Sequence, residues 1–242
     1  FRSGKAFGKF QRMLSDFPAA NLFETIPHFH DTPSRYNDLK KAVEEDSFSR
    51  LGSVRDELSF ALDREKDASR LVDLAAEGKI PMRVTHNDTK INNVLFDSIT
   101  NEAICVIDLD TIMPGLSLYD FGDSIRSGAV TSDENEKDLS KYGLDIGLFK
   151  SYAEGFISEA GQALNEEEIK NLAFSAKLMT LECGVRFLTD YLNGDTYFKT
   201  DYPEHNLVRC RTQFKLVEDI EKHMDEMNEC VNEIYRRSLI EG

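Results

Sequence analysis

The segment VTHNDTKINNVLFD (residues 84–97), continued by AICVIDLDTIMPG (residues 103–115), decides the fold of this chain. Residues 94–96 and 103–107 are short apolar runs bounded by polar residues, which predicts the two strands of a β-hairpin. Antiparallel pairing brings the polar residues before the first strand and after the second to one edge. These residues are His86, Asp88, Asn93, Asp108 and Asp110. We expect them to form a site for a hard cation and a proton acceptor.

Composition narrows the class of protein. The 242 residues are 40% hydrophobic, which is enough for one domain with a real core. The formal net charge of -15 argues against a nucleic-acid partner, because such a partner requires a basic face. No apolar run approaches the roughly 20 residues that span a bilayer, and residues 1–14 lack the apolar block of a signal peptide. We therefore predict a cytoplasmic protein that has no membrane partner.

The cysteines are far apart in the sequence and show no paired spacing: Cys105, Cys183, Cys210 and Cys230. Cys105 falls inside an apolar run, where a buried side chain is expected. We predict free thiols in a reducing compartment, rather than disulfides or a zinc site.

Apolar residues at helical spacing predict helices over residues 4–14, 36–50, 54–76, 118–130, 145–161, 165–192 and 206–237. Asn165 and Glu168 have the spacing of a capping box at the start of the most apolar of these helices. We expect this helix to be the buried spine of the domain.

Several polar residues have two interpretations at this stage. Arg186 interrupts the apolar spine helix, so its side chain either reaches the surface or enters a cleft to hold an anion or a polyol. Asp120 and Asp123 either cap the helix predicted over residues 118–130 or brace the nearby site. Residues 16–36 form either a packed surface loop or a cleft wall that includes His28, His30, Arg35 and Tyr36.

The spacing His-x-Asp-x-x-x-x-Asn at His86, Asp88 and Asn93 matches the catalytic loop of kinases. Asp108, at the end of an apolar strand, takes the place of the magnesium-binding aspartate. Phosphoryl transfer needs a carboxylate near the attacking hydroxyl, which Asp88 supplies, and hard oxygen ligands for Mg²⁺, which Asn93 and Asp108 supply. We expect His86 to pack beneath the loop and Asp110 to be a further ligand or an outer acceptor.

Other chemistries fit the sequence less well. A helical zinc hydrolase needs two histidines one turn apart, and only His86 is present near the site. A serine or cysteine nucleophile lacks an elbow or a paired base. A purely structural hairpin does not need clustered acids, which repel one another without a counter-ion.

HNDTKINNVLFD followed by VIDLDT resembles the aminoglycoside phosphotransferase and choline kinase family, small-molecule kinases that share the protein-kinase fold. Within that family the chain is similar to the N-acetylhexosamine 1-kinases. The narrower likeness rests on residues 86–90, where most relatives have Gly in second place, and on PGLSLYDFGDSIR (residues 114–126) and GVRFLTDYLNGDTYF (residues 184–198). It extends over residues 4–237.

The resemblance implies a role for each of several residues. Asp88 is the catalytic base, and Asn93 and Asp108 hold the Mg²⁺ that accompanies ATP. Arg186 and Tyr197 are candidate contacts to a sugar. Apart from the resemblance, we expect His86, Lys90 and Asp120 to support the site. The implied reaction is transfer of the γ-phosphate to the anomeric hydroxyl of N-acetylgalactosamine or N-acetylglucosamine, so the expected partners are a small sugar and a nucleotide.

The fold that follows is mainly α (α+β): the helical C-terminal lobe of a protein-kinase-like phosphotransferase with a small catalytic β-hairpin. We assign residues 1–242 to this single lobe. Residues 4–83 lead in, residues 84–130 carry the catalytic loop, the hairpin and the metal loop, and residues 131–242 form a helical subdomain.

One departure from the family is large, because nothing before Gly4 resembles a β lobe with a phosphate-covering loop and a strand lysine. The resemblance therefore implies the C-terminal lobe of a longer enzyme, inactive alone. Two alternatives remain open at the level of sequence. One is a kinase for choline, an aminoglycoside or homoserine; the absence of Trp weakens the choline hypothesis, and the negative charge keeps the aminoglycoside hypothesis open. The other is a non-catalytic binding module.

Overall fold

The computed structural model describes residues 1–241, and most of them are helical. The helices are α1 (Arg2–Met13), α2 (Thr32–Glu45), α3 (Arg55–Leu62), α4 (Arg70–Ala76), α5 (Ser117–Gly128), α6 (Ile146–Ala160), α7 (Glu166–Leu192) and α8 (His205–Glu241). The strands are β1 (Arg83–Thr85), β2 (Val94–Phe96), β3 (Ala103–Val106) and β4 (Met113–Gly115). This arrangement confirms the predicted fold class, a mainly helical lobe with a small β part.

Helix α7 is the spine that the sequence predicts. Its N-terminus has the expected capping box, in which the Asn165 side chain accepts from the Glu168 N–H and the Glu168 carboxylate accepts from the Asn165 N–H. The N-terminal half of α7 packs into a core with α5 and α6, through Leu172 and Phe121 among others. The C-terminal half packs into a second core with α2 and α8, through Leu188. Most of the helix is buried in one core or the other, which explains why its sequence shows little amphipathicity.

The predicted hairpin is present, and a second strand pair accompanies it. Strands β2 and β3 pair antiparallel with Val94 opposite Val106. Strands β1 and β4 also pair antiparallel, with Val84 opposite Pro114. The sequence predicts only an extended segment and a turn here. Three-residue strands have too little alternation to be recognised, and Pro114 with Gly115 is typical of a turn.

The single helix predicted over residues 54–76 is wrong. The chain forms α3 and α4 instead, joined through a short 3₁₀ turn at Glu65–Asp67. Residues 63–67 are five consecutive charged residues, so no apolar side chain continues the buried stripe there. Arg64 turns away to pair with Glu221 on α8, with 2.8 Å between Nη2 and Oε2.

Two smaller predictions also need correction. Helix α2 begins at Thr32 rather than residue 36, because the Asp31 side chain accepts from the Ser34 N–H and caps the helix, and it ends at Glu45. The cysteines of residues 1–241 are free, as predicted, but Cys105 is exposed. The register of the hairpin places Cys105 opposite Leu95, whose side chain is also exposed. Within residues 1–241, no helix is both long and apolar enough to cross a membrane.

Candidate active site

The loop of residues 86–90 follows strand β1 and is built over a buried histidine. His86 is fully buried, and its ring packs edge-on against Phe7 and Phe10 of α1. Its Nε2 lies 2.9 Å from the carbonyl oxygen of Ile107, and its Nδ1 lies 3.3 Å from the main-chain nitrogen of Asp88. Both contacts are satisfied when Nε2 carries the proton and Nδ1 accepts the Asp88 N–H. His86 therefore ties the start of the loop to the end of the hairpin.

Two buried carboxylates of α5 hold the backbone of the same loop. Asp120 accepts from the N–H groups of His86 (3.0 Å) and Asn87 (2.8 Å), and Asp123 accepts from the N–H of Thr89 (2.9 Å). Neither caps α5, whose N-terminus at Leu116 has no side-chain cap. Of the two interpretations given to these aspartates, bracing of the site is therefore the one that the geometry fits.

The two aspartates differ in their electrostatics. Burial raises the pKa of Asp120, although the hydrogen bonds from His86, Asn87 and Gln11 oppose the shift. Burial acts in the same direction on Asp123, but the Arg126 guanidinium, 2.8 Å away, contributes most to the opposing effects that lower the pKa of this carboxyl. Asp123 is thus an ionised anchor for the loop.

Asp88 lies at the centre of the loop with its carboxylate partly exposed. Its Oδ2 is 2.8 Å from Lys90 Nζ and 3.1 Å from Asn93 Nδ2. Asn93 Nδ2 also donates to the main-chain oxygen of Asp88, at 2.8 Å. Asn93 therefore orients Asp88 with its amide nitrogen, and its Oδ1 accepts no hydrogen bond from the residues that the structure describes.

Asp108 lies at the same end of the hairpin as Asn93. The N–H of Ile107 donates to the main-chain oxygen of Asn93, at 2.9 Å, so the next residue emerges beside it. Asp108 has a left-handed backbone conformation (φ 63°) and is exposed, and its carboxylate has no hydrogen-bond partner within residues 1–241. Asp110 is exposed as well, at the following 3₁₀ turn.

The expectation of one cluster that joins three carboxylates and His86 is not met. Within residues 1–241, no group of three His, Cys, Asp or Glu side chains is close enough to hold a metal ion. Both nitrogens of the His86 ring are instead engaged in hydrogen bonds, with the main-chain oxygen of Ile107 and the main-chain nitrogen of Asp88. The donors that remain available are Asn93 Oδ1 and the Asp108 carboxylate. Hard oxygen donors of this kind fit Mg²⁺, which keeps several waters and is completed by nucleotide phosphates.

A cavity of about 480 Å³ lies between α2, the C-terminal half of α7 and the turn that follows it. Arg186 lines it, half-buried, which favours a place in a cleft over a place on the open surface. The guanidinium lies 5.4–5.7 Å from the ring centroids of Phe29, Tyr197 and Phe198, and Nη2 is 3.4 Å from the Tyr197 hydroxyl. The two candidate sugar contacts thus lie side by side.

Asp190 organises this cavity and was not identified from the sequence. Its carboxylate accepts from the N–H groups of Thr196, Tyr197 and Phe198 at 2.8–3.0 Å, and from Asn206 at 2.7 Å. These bonds fold the turn that presents Tyr197. An Asp three residues before the turn sequence NGD is the only signal in the sequence, and it is weak.

The four residues named in the segment of residues 16–36 do not share one role. His30 is buried between α7 and the catalytic loop, and Arg35 lines the cavity. Tyr36 belongs to the core, where its hydroxyl donates to the Ala61 carbonyl, and His28 is exposed beside Asp31. The loop therefore acts partly as a cleft wall.

The chain is similar to known proteins at two levels, a solved structure and a family model. The solved structure is an ethanolamine kinase from Plasmodium vivax, with 14% sequence identity and a TM-score of 0.47. The match covers 87% of this chain and 58% of that kinase, so the chain spans less than two thirds of its length. A family model described as "Phosphotransferase enzyme family" matches residues 2–146, which include the whole loop and hairpin. Because this match covers more than half of the sequence, the chain belongs to the phosphotransferase enzyme family.

Proposed function

We propose that this chain is the acceptor-binding and metal-binding lobe of a small-molecule kinase that transfers the γ-phosphate of ATP to a sugar hydroxyl. The preferred acceptor is the anomeric hydroxyl of N-acetylgalactosamine or N-acetylglucosamine. The observation that carries the proposal is the arrangement around Asp88. Its carboxylate is held by Asn93 and Lys90, beside a hairpin end where Asn93 Oδ1 and Asp108 offer free oxygen donors.

The residues divide the chemistry between them. Asp88 accepts the proton of the sugar hydroxyl. The hydroxyl oxygen of the sugar bonds to the γ-phosphorus while the bond from that phosphorus to the leaving oxygen of ADP breaks. Asn93 keeps Asp88 in place, and Lys90 puts a positive charge next to it. Asn93 Oδ1 and Asp108 are the groups that would hold Mg²⁺, whose charge, when it is bound, offsets that of the phosphates.

The cavity at Arg186 supports a sugar acceptor. A neutral ligand that carries hydroxyl and carbonyl oxygens can accept hydrogen bonds from the N–H donors of a guanidinium. A quaternary ammonium needs free aromatic faces, but Arg186 already lies near Phe29, Tyr197 and Phe198. A series of contacts connects the cavity to the catalytic loop. The Phe29 ring packs edge-on against the His30 ring, with 4.6 Å between centroids, and His30 Nε2 lies 3.1 Å from the Asn87 carbonyl oxygen.

One observation favours a second acceptor class. Asp38 and Glu45 also line the cavity, and both side chains are about half exposed. Carboxylates at the rim attract cationic acceptors, so an aminoglycoside or a small amino alcohol is the runner-up.

The test uses the full-length protein with ATP, Mg²⁺ and a panel of acceptors: N-acetylgalactosamine, N-acetylglucosamine, choline, ethanolamine, homoserine and an aminoglycoside. We expect ³¹P NMR to show a sugar phosphate whose phosphorus couples to the anomeric proton. Asp88→Asn should lower kcat at least about 10²-fold, because a positioned general base contributes that much.

Asp16→Asn is the matched control, because Asp16 is exposed and its carboxylate has no hydrogen bond or ion pair within residues 1–241. Transfer to an amino alcohol alone overturns the sugar assignment. Wild-type turnover in Asp88→Asn overturns the role of Asp88.

A further inference from the structure

His30 makes two hydrogen bonds that together define its protonation state. Its Nδ1 lies 2.9 Å from Glu182 Oε1, and its Nε2 lies 3.1 Å from the main-chain oxygen of Asn87. The side chain is only 7% exposed, so water does not replace either partner. A carboxylate and a carbonyl only accept hydrogen bonds. Both bonds therefore exist together only when the ring carries a proton on each nitrogen.

Glu182 is the counter-charge that this state requires. Its side chain is 1% exposed, and it also accepts from the Thr32 hydroxyl at 2.6 Å. Burial by itself would raise the pKa of this carboxyl, but the charge and hydrogen bond of His30, with help from Arg186 and Thr32, lower it. Glu182 is therefore ionised, and the two residues form a buried pair of charges.

Other groups around the ring come from three elements. On α5, Asp123 acts on His30 through its charge but is itself paired with Arg126. The Tyr119 ring lies 5.2 Å from the imidazole, and burial raises the pKa of this phenol, so it is neutral. In the loop before α2, Asp31 is bonded to His28 and to the Ser34 N–H. On α7, Arg186 is the remaining charge near Glu182.

The contact with Asn87 acts on the peptide group that precedes Asp88. The carbonyl of that group accepts from His30, and its N–H donates to His86 Nδ1. Because a peptide group is planar, two histidines at its two ends fix its orientation. That plane sets the direction in which the Asp88 side chain leaves the backbone. Asn87 has a positive φ of 64°, a backbone conformation that residues other than glycine seldom adopt. Contacts with neighbouring residues must therefore hold the backbone in this conformation.

We propose that His30 is a positioning residue for Asp88, which it holds through the Asn87 carbonyl while its ring is doubly protonated. Its effect on transfer rests on the proposed kinase function. A ring with a single proton cannot donate to both partners. With that proton on Nδ1, beside Glu182, the bond from Nε2 to Asn87 is absent and the peptide group is held only by His86.

The first test needs no enzyme activity. In the ¹⁵N-labelled chain at pH 7, long-range ¹H–¹⁵N spectra report the protonation of each histidine nitrogen, and His30→Gln assigns the signal. We expect both His30 nitrogens to carry protons. His223 is the reference, because its ring makes a single bond, to the Asp219 carbonyl. A His30 ring with one proton at pH 7 overturns the proposal, whether or not the protein is a kinase.

The second test measures kcat and KM in the full-length protein. His30→Gln should lower kcat roughly tenfold through misplacement of Asp88, and should leave both KM values within about twofold.

His223→Gln is the matched control and should behave as wild type. If His30→Gln alters kcat and KM together, its role is merely structural and the proposal is overturned. If the full-length protein transfers no phosphate to any acceptor, the kinase function fails, while the spectra still decide the state of His30.

Discussion

Asn87 shows how one side chain suits an unusual place in the backbone. Its φ of 64° lies in the left-handed region, which Gly enters freely and Asn more readily than most residues. Unlike Gly, Asn87 also donates from Nδ2 to the carbonyl of Thr111, at 2.9 Å. The residue therefore permits the sharp turn before Asp88 and ties it to the segment that leads into β4.

Arg186→Gln tests the acceptor cavity. The change removes the guanidinium but keeps an amide, so we expect the KM for the acceptor to rise about tenfold or more, because hydrogen bonds from a charged donor are the strong ones. The KM for ATP should stay within twofold, since the cavity is lined by residues apart from the metal ligands.

Steady-state kinetics on the full-length protein make this measurement. Arg55→Gln is the control, because Arg55 is exposed and its side chain makes no ion pair within residues 1–241. An unchanged acceptor KM in Arg186→Gln places the acceptor elsewhere.

Helix α5 links the core to the loop of residues 86–90. Its first turns carry Asp120 and Asp123, whose carboxylates hold the loop backbone. Its middle packs directly on α7 at Gly122, where the added Cβ of any other residue would overlap the carbonyl oxygen of Ser175. The position of the loop therefore depends on how closely the two helices approach.

Gly122→Ala tests that close approach. We expect a loss of unfolding free energy of about 1–3 kcal/mol, because a methyl group must push the two backbones apart. Gly128→Ala in the same helix meets open space, so it should be neutral or stabilising by about 0.5–1 kcal/mol. Urea unfolding followed by circular dichroism distinguishes the two. Equal effects at both positions would contradict the packing argument.

Asp123→Asn tests the charge that anchors the loop. The folded pKa of Asp123 is lowered, so ionised Asp123 stabilises the fold above the unfolded value of about 3.9, and this stabilisation is lost as pH falls through the folded pKa. Removal of one partner of a buried pair costs roughly 3 kcal/mol at pH 7.

Urea titrations at several pH values between 7 and 3 measure this effect. The difference between wild type and Asp123→Asn should shrink toward the acid end, with Asp16→Asn again as the control. A difference that is constant with pH would show that the hydrogen-bond geometry, and not the charge, matters.

The described residues combine the cavity at Arg186 with the hairpin end that carries Asn93 and Asp108. Among residues 1–241, none of the strands contains a lysine, and no glycine-rich loop joins a strand pair. In kinases of this fold such elements hold the nucleotide phosphates. We propose that residues outside this sequence supply them.

The isolated 242-residue chain should therefore transfer phosphate at least about 10²-fold more slowly than the full-length protein, since the loss of even one charge-stabilising donor costs that much. A coupled assay for ADP release, with ATP and N-acetylgalactosamine, measures the rate. Rapid sugar phosphorylation by the isolated chain would contradict the proposal. A urea unfolding curve of the isolated chain is the control that shows whether the chain is folded.

The amino-acid sequence by itself determined the features that depend on local patterns. The apolar period predicts α7, the capping box fixes its start, and short apolar runs predict the β2–β3 hairpin. The spacing from His86 to Asn93, followed by Asp108, predicts a catalytic loop and a metal-binding end of the hairpin. Each of these signals depends on residues that lie within about 25 positions of one another in the sequence.

Only the tertiary structure decided the contacts between distant segments. His30 meets Asn87 across 57 residues and Glu182 across 152, and no local pattern records such pairs. The pairing of β1 with β4 and the place of Arg186 in a cleft have the same origin. Burial and charge pairing depend on which surfaces meet when the helices pack, so the role of His30 becomes visible only in the folded chain.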